Sequence, residues 1–144
     1  MKYYDGGKTV ERGSNLVVKT GKLNHPNGAC GYRLECGGKV IAICTDTEHF
    51  EDRLDENVLA LAQDADIMVY DAAYTDDEYP KFKGWGHSTW QEAVKIAQAA
   101  NVKQTFLFHH DPSHNDDKMD EIKKEVSLIH PGVRPAIEGE EIFL

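Results

Sequence analysis

The chain has 144 residues, of which 40% are hydrophobic and 28% charged, a composition that predicts a single soluble globular domain long enough to bury a core. Sixteen basic and 25 acidic residues give a formal net charge of −9. This balance argues against binding to a nucleic-acid backbone, which needs clustered lysine and arginine. No apolar run is long enough to cross a bilayer, and the N-terminus lacks the hydrophobic segment of a signal peptide. Three cysteines in that context predict a reducing cytoplasm.

The first third of the chain predicts β-structure. Its opening segment, GGKTVERGSN at residues 6–15, is rich in glycine and polar residues and predicts turns. The run LVVKT at 16–20 predicts a strand. The runs CGYRLEC at 30–36 and KVIAIC at 39–44 flank a Gly-Gly pair and therefore predict a β-hairpin.

From about residue 55 the pattern alternates between helices and strands, which indicates an α/β fold with a parallel section after the hairpin. Ser88 and Gln91 fit the capping-box pattern, so Ser88 is predicted to be the N-cap of the middle helix. The predicted elements are a helix at 55–63, a strand at 66–70, a helix at 88–100, a strand at 105–108, a helix at 117–129, and two short strands about a glycine turn within 134–144.

Carboxylates and imidazoles follow several of these strands. Asp46 lies in ICTDTEH, Asp71 in VYDAAY and His109 in LFHHDP, each at the end of a predicted strand. His87 opens the middle helix in GWGHST, and His25 precedes the hairpin in LNHPNG. Any one of them has a plain explanation as a turn residue or helix cap. Because chemistry gathers at the carboxyl ends of parallel strands, the set together predicts a site at one edge of the sheet.

Six further side chains are given structural positions by the same reasoning. The segment FHHDPSH, residues 108–114, contains three of them. We predict that His110 and Asp111 shape the loop, that His114 is exposed or caps the last helix, that His49 lies at the surface, and that Trp85 and Trp90 pack around the GHST loop.

Six segments, in order, resemble the second half of the metallo-β-lactamase fold superfamily, and most of all its phosphodiesterase branch of ribonuclease Z-like and cyclic-phosphate phosphodiesterase-like enzymes. The resemblance implies an α/β fold class in which residues 1–144 form one domain. That domain would be the second half of an αββα sandwich, a mixed sheet with flanking helices. The segments are LNHPNGACGYRLE, ICTDTEH, YDAAYTDDEYP, GWGHSTWQEAVKIAQAANVK, TFLFHHDPSH and AIEGEE.

The resemblance also implies a role for each site residue. His25 matches a ligand of the first metal ion, Asp46 matches the aspartate that bridges two metal ions, and His109 matches a ligand of the second. His87 matches a histidine that assists at the scissile phosphate, and Asp71 stands where relatives carry the acid that orients it. Imidazole and carboxylate ligands suit Zn²⁺ or Mn²⁺, the metals that the family often binds.

The family's HxHxDH signature, which supplies the other metal ligands, is absent from the 144 residues, and no histidine precedes His25. We therefore expect a half-domain of a metal-dependent phosphodiesterase-like hydrolase that is inactive alone. The alternative is a non-catalytic association module that retains the half-fold. A lone half would expose the apolar face of its sheet, so the expected partner is a second copy or a separate chain carrying the first half. A small phosphate ester is the expected substrate, whereas nucleic acid and membranes are not expected partners.

Overall fold

A computed structural model of the chain describes residues 9–12 and 15–144, and for 9–12 it describes the backbone alone. Seven strands form one sheet in which neighbours along the chain are also neighbours in space. The first four strands are antiparallel, and β4 to β7 are parallel. The strands are β1 Thr9–Arg12, β2 Leu16–Leu23, β3 Ala29–Cys36, β4 Lys39–Cys44, β5 Ile67–Asp71, β6 Gln104–Phe108 and β7 Val133–Pro135.

Three helices, α1 Glu56–Ala62, α2 Trp90–Ala99 and α3 Asp116–Ile129, cover one face of this sheet. Ala42, Met68 and Val133 lie on that face, in line across the strands, and belong to the same core cluster as the buried side of the helices. Helix α1 begins at Asp55, whose carboxylate accepts hydrogen bonds from the N–H groups of Asn57 and Val58. None of the helices that the structure describes is long and apolar enough to cross a membrane.

The opposite face of the sheet, which we call the outer face, is apolar and only partly covered. Tyr32, Ile43 and Val69 stand side by side across β3, β4 and β5, next to the pair Leu34 and Ile41. These five side chains are partly exposed, and Tyr32 keeps 44% of its surface. Phe106 on β6 continues this row of apolar side chains, and the Arg134 guanidinium on β7 lies over its ring, 4.5 Å from the ring centre. The exposed apolar surface therefore becomes smaller towards β7.

The α/β half-fold with a mixed sheet and flanking helices is confirmed, and so is the hairpin at Gly37 and Gly38. Both glycines have positive φ, 57° and 77°, as the tight turns of hairpins require. Two predictions at the ends of the chain are wrong. Thr9–Arg12 forms a strand rather than a turn, while the rest of the predicted opening turn before Asn15 lies outside the described residues. At the other end Gly139 does make a turn, but only β7 forms, because the residues after the turn are exposed and Glu140 pairs with Arg134.

Candidate metal centre

The ends of three neighbouring parallel strands bring the candidate residues together. Asp46 lies two residues after β4, Asp71 is the last residue of β5, and His109 directly follows β6. Since β4, β5 and β6 are adjacent and parallel, these side chains meet at one edge of the sheet, as the strand order leads one to expect.

Asp46, His87 and His109 form a cluster whose ligand atoms all lie within 4.8 Å of one another. The Nε2 atom of His109 is 3.5 Å from Oδ1 of Asp46. The rings of His87 and His109 are stacked, with their centres 4.5 Å apart. Carboxylate and imidazole are ligand types that Zn²⁺ and Mn²⁺ accept, so Asp46 and His109 fit the metal ion that the resemblance implies, and His87 lies beside them.

Two members of this cluster have an uncommon backbone conformation. Asp46 has φ of 59° and His109 has φ of 62°, both in the left-handed region that side chains other than glycine seldom adopt. Such conformations carry strain and occur most often where function requires them. His109 directly follows β6, Asp46 lies two residues after β4, and their side chains approach to 3.5 Å.

Asp71 is fully buried and fixes the orientation of His87. Its Oδ2 accepts a hydrogen bond from Nδ1 of His87 at 2.8 Å and one from the Thr47 N–H, while Oδ1 accepts from the N–H groups of Ser88 and Ala73. The hydrogen bond to Asp71 raises the pKa of His87 against the opposing effect of burial. With Nδ1 engaged, Nε2 is the ring nitrogen left to act at the cluster.

His25 approaches the site from the segment before β3. Its ring meets that of His87 edge to face, 5.7 Å between centres, and its Nδ1 accepts from the N–H of Asn27. Gly86 lies directly against this ring, so a Cβ at position 86 would overlap His25. The φ of Gly86, 95°, also favours glycine. His25 is therefore held beside His87, although it is not a member of the cluster of three.

Glu48 holds the segments of the site together. Its carboxylate, in a residue only 8% exposed, accepts hydrogen bonds from the N–H groups of Gly84 and Gly86 and from the Tyr79 hydroxyl, at 2.7 to 2.9 Å. Its backbone exchanges two further hydrogen bonds with Asn24. Burial acts to raise the pKa of Glu48, but the hydrogen bonds from Gly84, Tyr79 and Gly86 outweigh it and lower the pKa.

Comparison with known proteins identifies the family. The family described as "Beta-lactamase superfamily domain" matches residues 8–110, which include Asp46, Asp71, His87 and His109. The chain belongs to the β-lactamase superfamily. Its similarity to ribonuclease Z sequences places it near that branch. It is 30% identical over 135 residues to ribonuclease Z of Gemmatimonas aurantiaca and 33% identical over 131 residues to that of Brevibacillus brevis.

These relatives are much longer than the chain. The two alignments cover 94% and 88% of this chain but only 40% and 39% of the relatives. Solved structures of the superfamily show the same fold at low identity. Human tRNase Z, short form, has a TM-score of 0.71 at 21% identity, with 96% of this chain and 47% of that chain covered. Zn²⁺-bound PqqB from Methylobacterium extorquens has a TM-score of 0.72 at 16% identity, with 96% and 54% covered.

Within this superfamily fold, several side chains lie elsewhere than the sequence predicts. His49 is half-buried rather than at the surface, and its Nδ1 lies 3.0 Å from the Ser88 hydroxyl. Burial lowers the pKa of His49. His114 is neither exposed nor a helix cap, because its side chain is 4% exposed and contacts Glu78, while Asn115 caps α3. Trp90 is buried as predicted, whereas Trp85 is 63% exposed.

Sequence reasoning missed Glu48 as a member of the site. Two of the three partners of its carboxylate are backbone N–H groups, and these leave no pattern in the sequence. The available clues were its place in the TDTE segment, two residues after Asp46, and the two glycines of GWGHST, which allow the backbone of that loop to come close to a carboxylate.

Proposed function

We propose that this chain supplies one half of a metal-dependent phosphodiesterase centre, in which Asp46 and His109 bind a divalent metal ion, Zn²⁺ or Mn²⁺. The cluster of Asp46, His87 and His109 at the ends of parallel strands supports this proposal most strongly. When bound, the metal would hold oxygen atoms of a phosphate ester and lower the pKa of a coordinated water. We propose His25 as a ligand of the other metal ion of the pair, which Asp46 would share.

His87 and Asp71 have a different role in this proposal. The hydrogen bond to Asp71 raises the pKa of His87 and so stabilises its imidazolium form. The proton on Nε2 then faces the cluster and can pass to the oxygen that leaves the phosphate. Asp71, which is fully buried, holds the ring in place and stabilises its positive charge. A small phosphate ester is the substrate that the acidic chain favours over a nucleic acid.

The 144 residues carry only part of the ligand set, since HxHxDH is absent from them. Two-metal catalysis requires a clamp on both the attacking and the leaving oxygen. We propose that residues outside this sequence, on the same or another polypeptide, complete the centre. The free thiols of Cys30, Cys36 and Cys44 favour the cytoplasm as its compartment.

A non-catalytic association module is the second candidate, and the outer face favours it. Tyr32, Leu34, Ile41, Ile43 and Val69 form a continuous, partly exposed apolar surface, and a surface of this kind commonly marks a contact with another protein. In this reading the half-fold pairs with a second copy of itself, and the cluster has no substrate.

Metal binding tests the first proposal. Equilibrium dialysis of the 144-residue chain against Zn²⁺ and Mn²⁺ should detect a bound ion. Asp46→Ala should weaken its binding by at least about tenfold, since even outer partners of metal ligands contribute about 10- to 100-fold. Asp52→Ala is the matched control, because Asp52 is exposed and pairs only with its neighbour Arg53 among the described contacts. Equal binding by all three proteins would refute the proposed centre.

The chain alone should show little or no hydrolysis of bis-aryl or cyclic phosphate esters when Zn²⁺ or Mn²⁺ is added, because half the ligands are missing. The measurement is release of the phenol from the bis-aryl ester and ring opening of the cyclic ester, at saturating metal, with Asp46→Ala as the blank. Turnover that persists through purification and disappears in Asp46→Ala would show that the chain completes its centre by itself, for example by pairing of two copies.

A further inference from the structure

Trp85 forms one wall of a cleft next to the candidate metal centre. The cleft has a volume of about 320 Å³, and Trp85, Tyr74, His87 and His109 are among the residues that line it. This volume lies at the lower end of the range for small-molecule sites, about 300 to 1,000 Å³. Trp85 is 63% exposed, and so large an exposed indole beside candidate catalytic groups needs an explanation.

The Trp85 indole is exposed, but hydrogen bonds hold the backbone of Trp85 and of the glycines on both sides of it. The N–H groups of Gly84 and Gly86 donate to the two carboxylate oxygens of Glu48, and the Trp85 N–H donates to the carbonyl of Phe82. The Phe82 ring meets Trp85 edge to face at 5.5 Å and is stacked on Tyr74 at 4.4 Å. The aromatic wall is thus held in place before any ligand arrives, which limits the entropy lost on binding.

The charges around the cleft indicate which part of a ligand this wall contacts. Among the described residues that line it there is no lysine or arginine, and Asp111 adds a negative charge. A phosphate group would therefore find its positive partners only at the His87 and His109 side, where the metal ion would bind. The exposed indole of Trp85, which lines the same cleft, suits an uncharged planar ring.

We propose that Trp85 forms a stacking subsite for the nucleobase of a small nucleoside phosphate ester whose phosphate lies at the metal centre. This inference rests on the proposed function for the position of the phosphate, but the ring subsite itself is the exposed Trp85 indole, which Phe82 and the buried Tyr74 support from behind. Bases stack readily on exposed aromatic side chains. The net charge of −9 favours a mononucleotide or dinucleotide over a long strand, because each added phosphate increases the repulsion.

Tryptophan fluorescence of the 144-residue chain provides the test. The other tryptophan, Trp90, is 3% exposed, so a ligand that reaches the cleft should quench Trp85 selectively. Adenosine should quench the metal-free chain and ribose should not. With Zn²⁺ present, adenosine 5′-monophosphate should bind about tenfold more tightly than ribose 5-phosphate, within the range that one stacked base contributes. Calorimetry gives the same ratio independently of fluorescence.

Substitutions test whether Trp85 is the residue that binds the base. Trp85→Ala should bring the ratio of the two affinities close to one, and Trp85→Phe should retain most of it. Phe143→Ala is the control, since Phe143 is an exposed aromatic side chain in the C-terminal segment, and it should leave the ratio unchanged. If the chain does not bind zinc, the proposed metal centre is wrong. The adenosine and ribose titrations need no metal, so they still test the ring subsite. The ring subsite is refuted if adenosine and ribose behave alike, or if the ratio survives in Trp85→Ala.

Discussion

Glu48 connects the loops that carry three of the candidate site residues. Its carboxylate binds the Gly84 and Gly86 N–H groups next to His87, its backbone binds Asn24 next to His25, and it lies two residues after Asp46. A buried carboxylate is costly unless it is well hydrogen-bonded. Here all the hydrogen bonds favour the charged form, so the geometry of the site depends on Glu48 remaining ionised.

Glu48→Gln should lower the free energy of unfolding at pH 7 by about 1–3 kcal/mol, because one amide N–H₂ would face a donor in place of an acceptor oxygen. Chemical denaturation measures this difference. Glu51→Gln is the matched control. Glu51 is exposed and pairs with Lys83 at 2.6 Å, and its loss should cost no more than about 1 kcal/mol. Equal effects of the two substitutions would show that Glu48 does not organise the loops.

The effect of Glu48→Gln on the free energy of unfolding should depend on pH. The folded-state pKa of Glu48 is lowered, so its stabilising contribution is fully present above the unfolded-state pKa of about 4.3. It is lost as pH falls through the folded-state pKa. The difference in unfolding free energy between the parent chain and Glu48→Gln should therefore shrink as the pH falls below the unfolded-state pKa of about 4.3. A difference that grows in acid would contradict the assignment.

At the scale of elements, the start of helix α2 is a point at which the sequence prediction is wrong. Ser88 and Thr89 both satisfy the capping pattern, with Gln91 and Glu92 three residues later. The structure makes Thr89 the N-cap, with Oγ1 accepting from the Glu92 N–H at 3.2 Å. The Ser88 N–H instead donates to Asp71, and the Ser88 carbonyl accepts from the Tyr74 N–H as part of the β-bridge between Tyr74 and Thr89. These contacts keep the chain extended for one more residue.

Thr89→Ala should therefore destabilise the protein by about 1 kcal/mol through loss of the cap, as thermal or chemical unfolding would report. Thr89→Ser keeps an oxygen in the same place and should restore most of this loss. If Thr89→Ala leaves stability unchanged, the helix begins elsewhere.

Local patterns explain why most elements could be predicted. The β4 strand, the glycine hairpin and helix α3 follow from alternating apolar residues, turn chemistry and helical spacing, which act over a few neighbours. The convergence of Asp46, Asp71 and His109 could be predicted as well, because strand order alone brings their loops together. The Glu48 contacts, the exposed Trp85 and the buried His114 depend on contacts between segments distant in the chain, so no local pattern identified them.

At the scale of the whole molecule, the outer face presents apolar side chains without full cover. We predict that the 144-residue chain associates into a homodimer through this face, burying well over about 1,000 Å² in total as specific interfaces do. Sedimentation at micromolar concentration should report twice the chain mass. Ile43→Lys on the outer face should shift it to the monomer, whereas Leu128→Lys, at an 81% exposed position on α3, should not. A monomeric parent chain would contradict this prediction.

The central claim is that His109 and Asp46 bind a divalent metal ion, and histidine NMR tests it most directly. Long-range ¹H–¹⁵N spectra of the chain during a Zn²⁺ titration follow each imidazole, with assignments from single His→Gln variants. We predict that the His109 nitrogen signals shift in proportion to added zinc and that Asp46→Ala abolishes this shift. The signals of His130, at the C-terminus of α3, should stay in place. Zinc that leaves His109 unchanged, or shifts it equally in Asp46→Ala, would contradict the account.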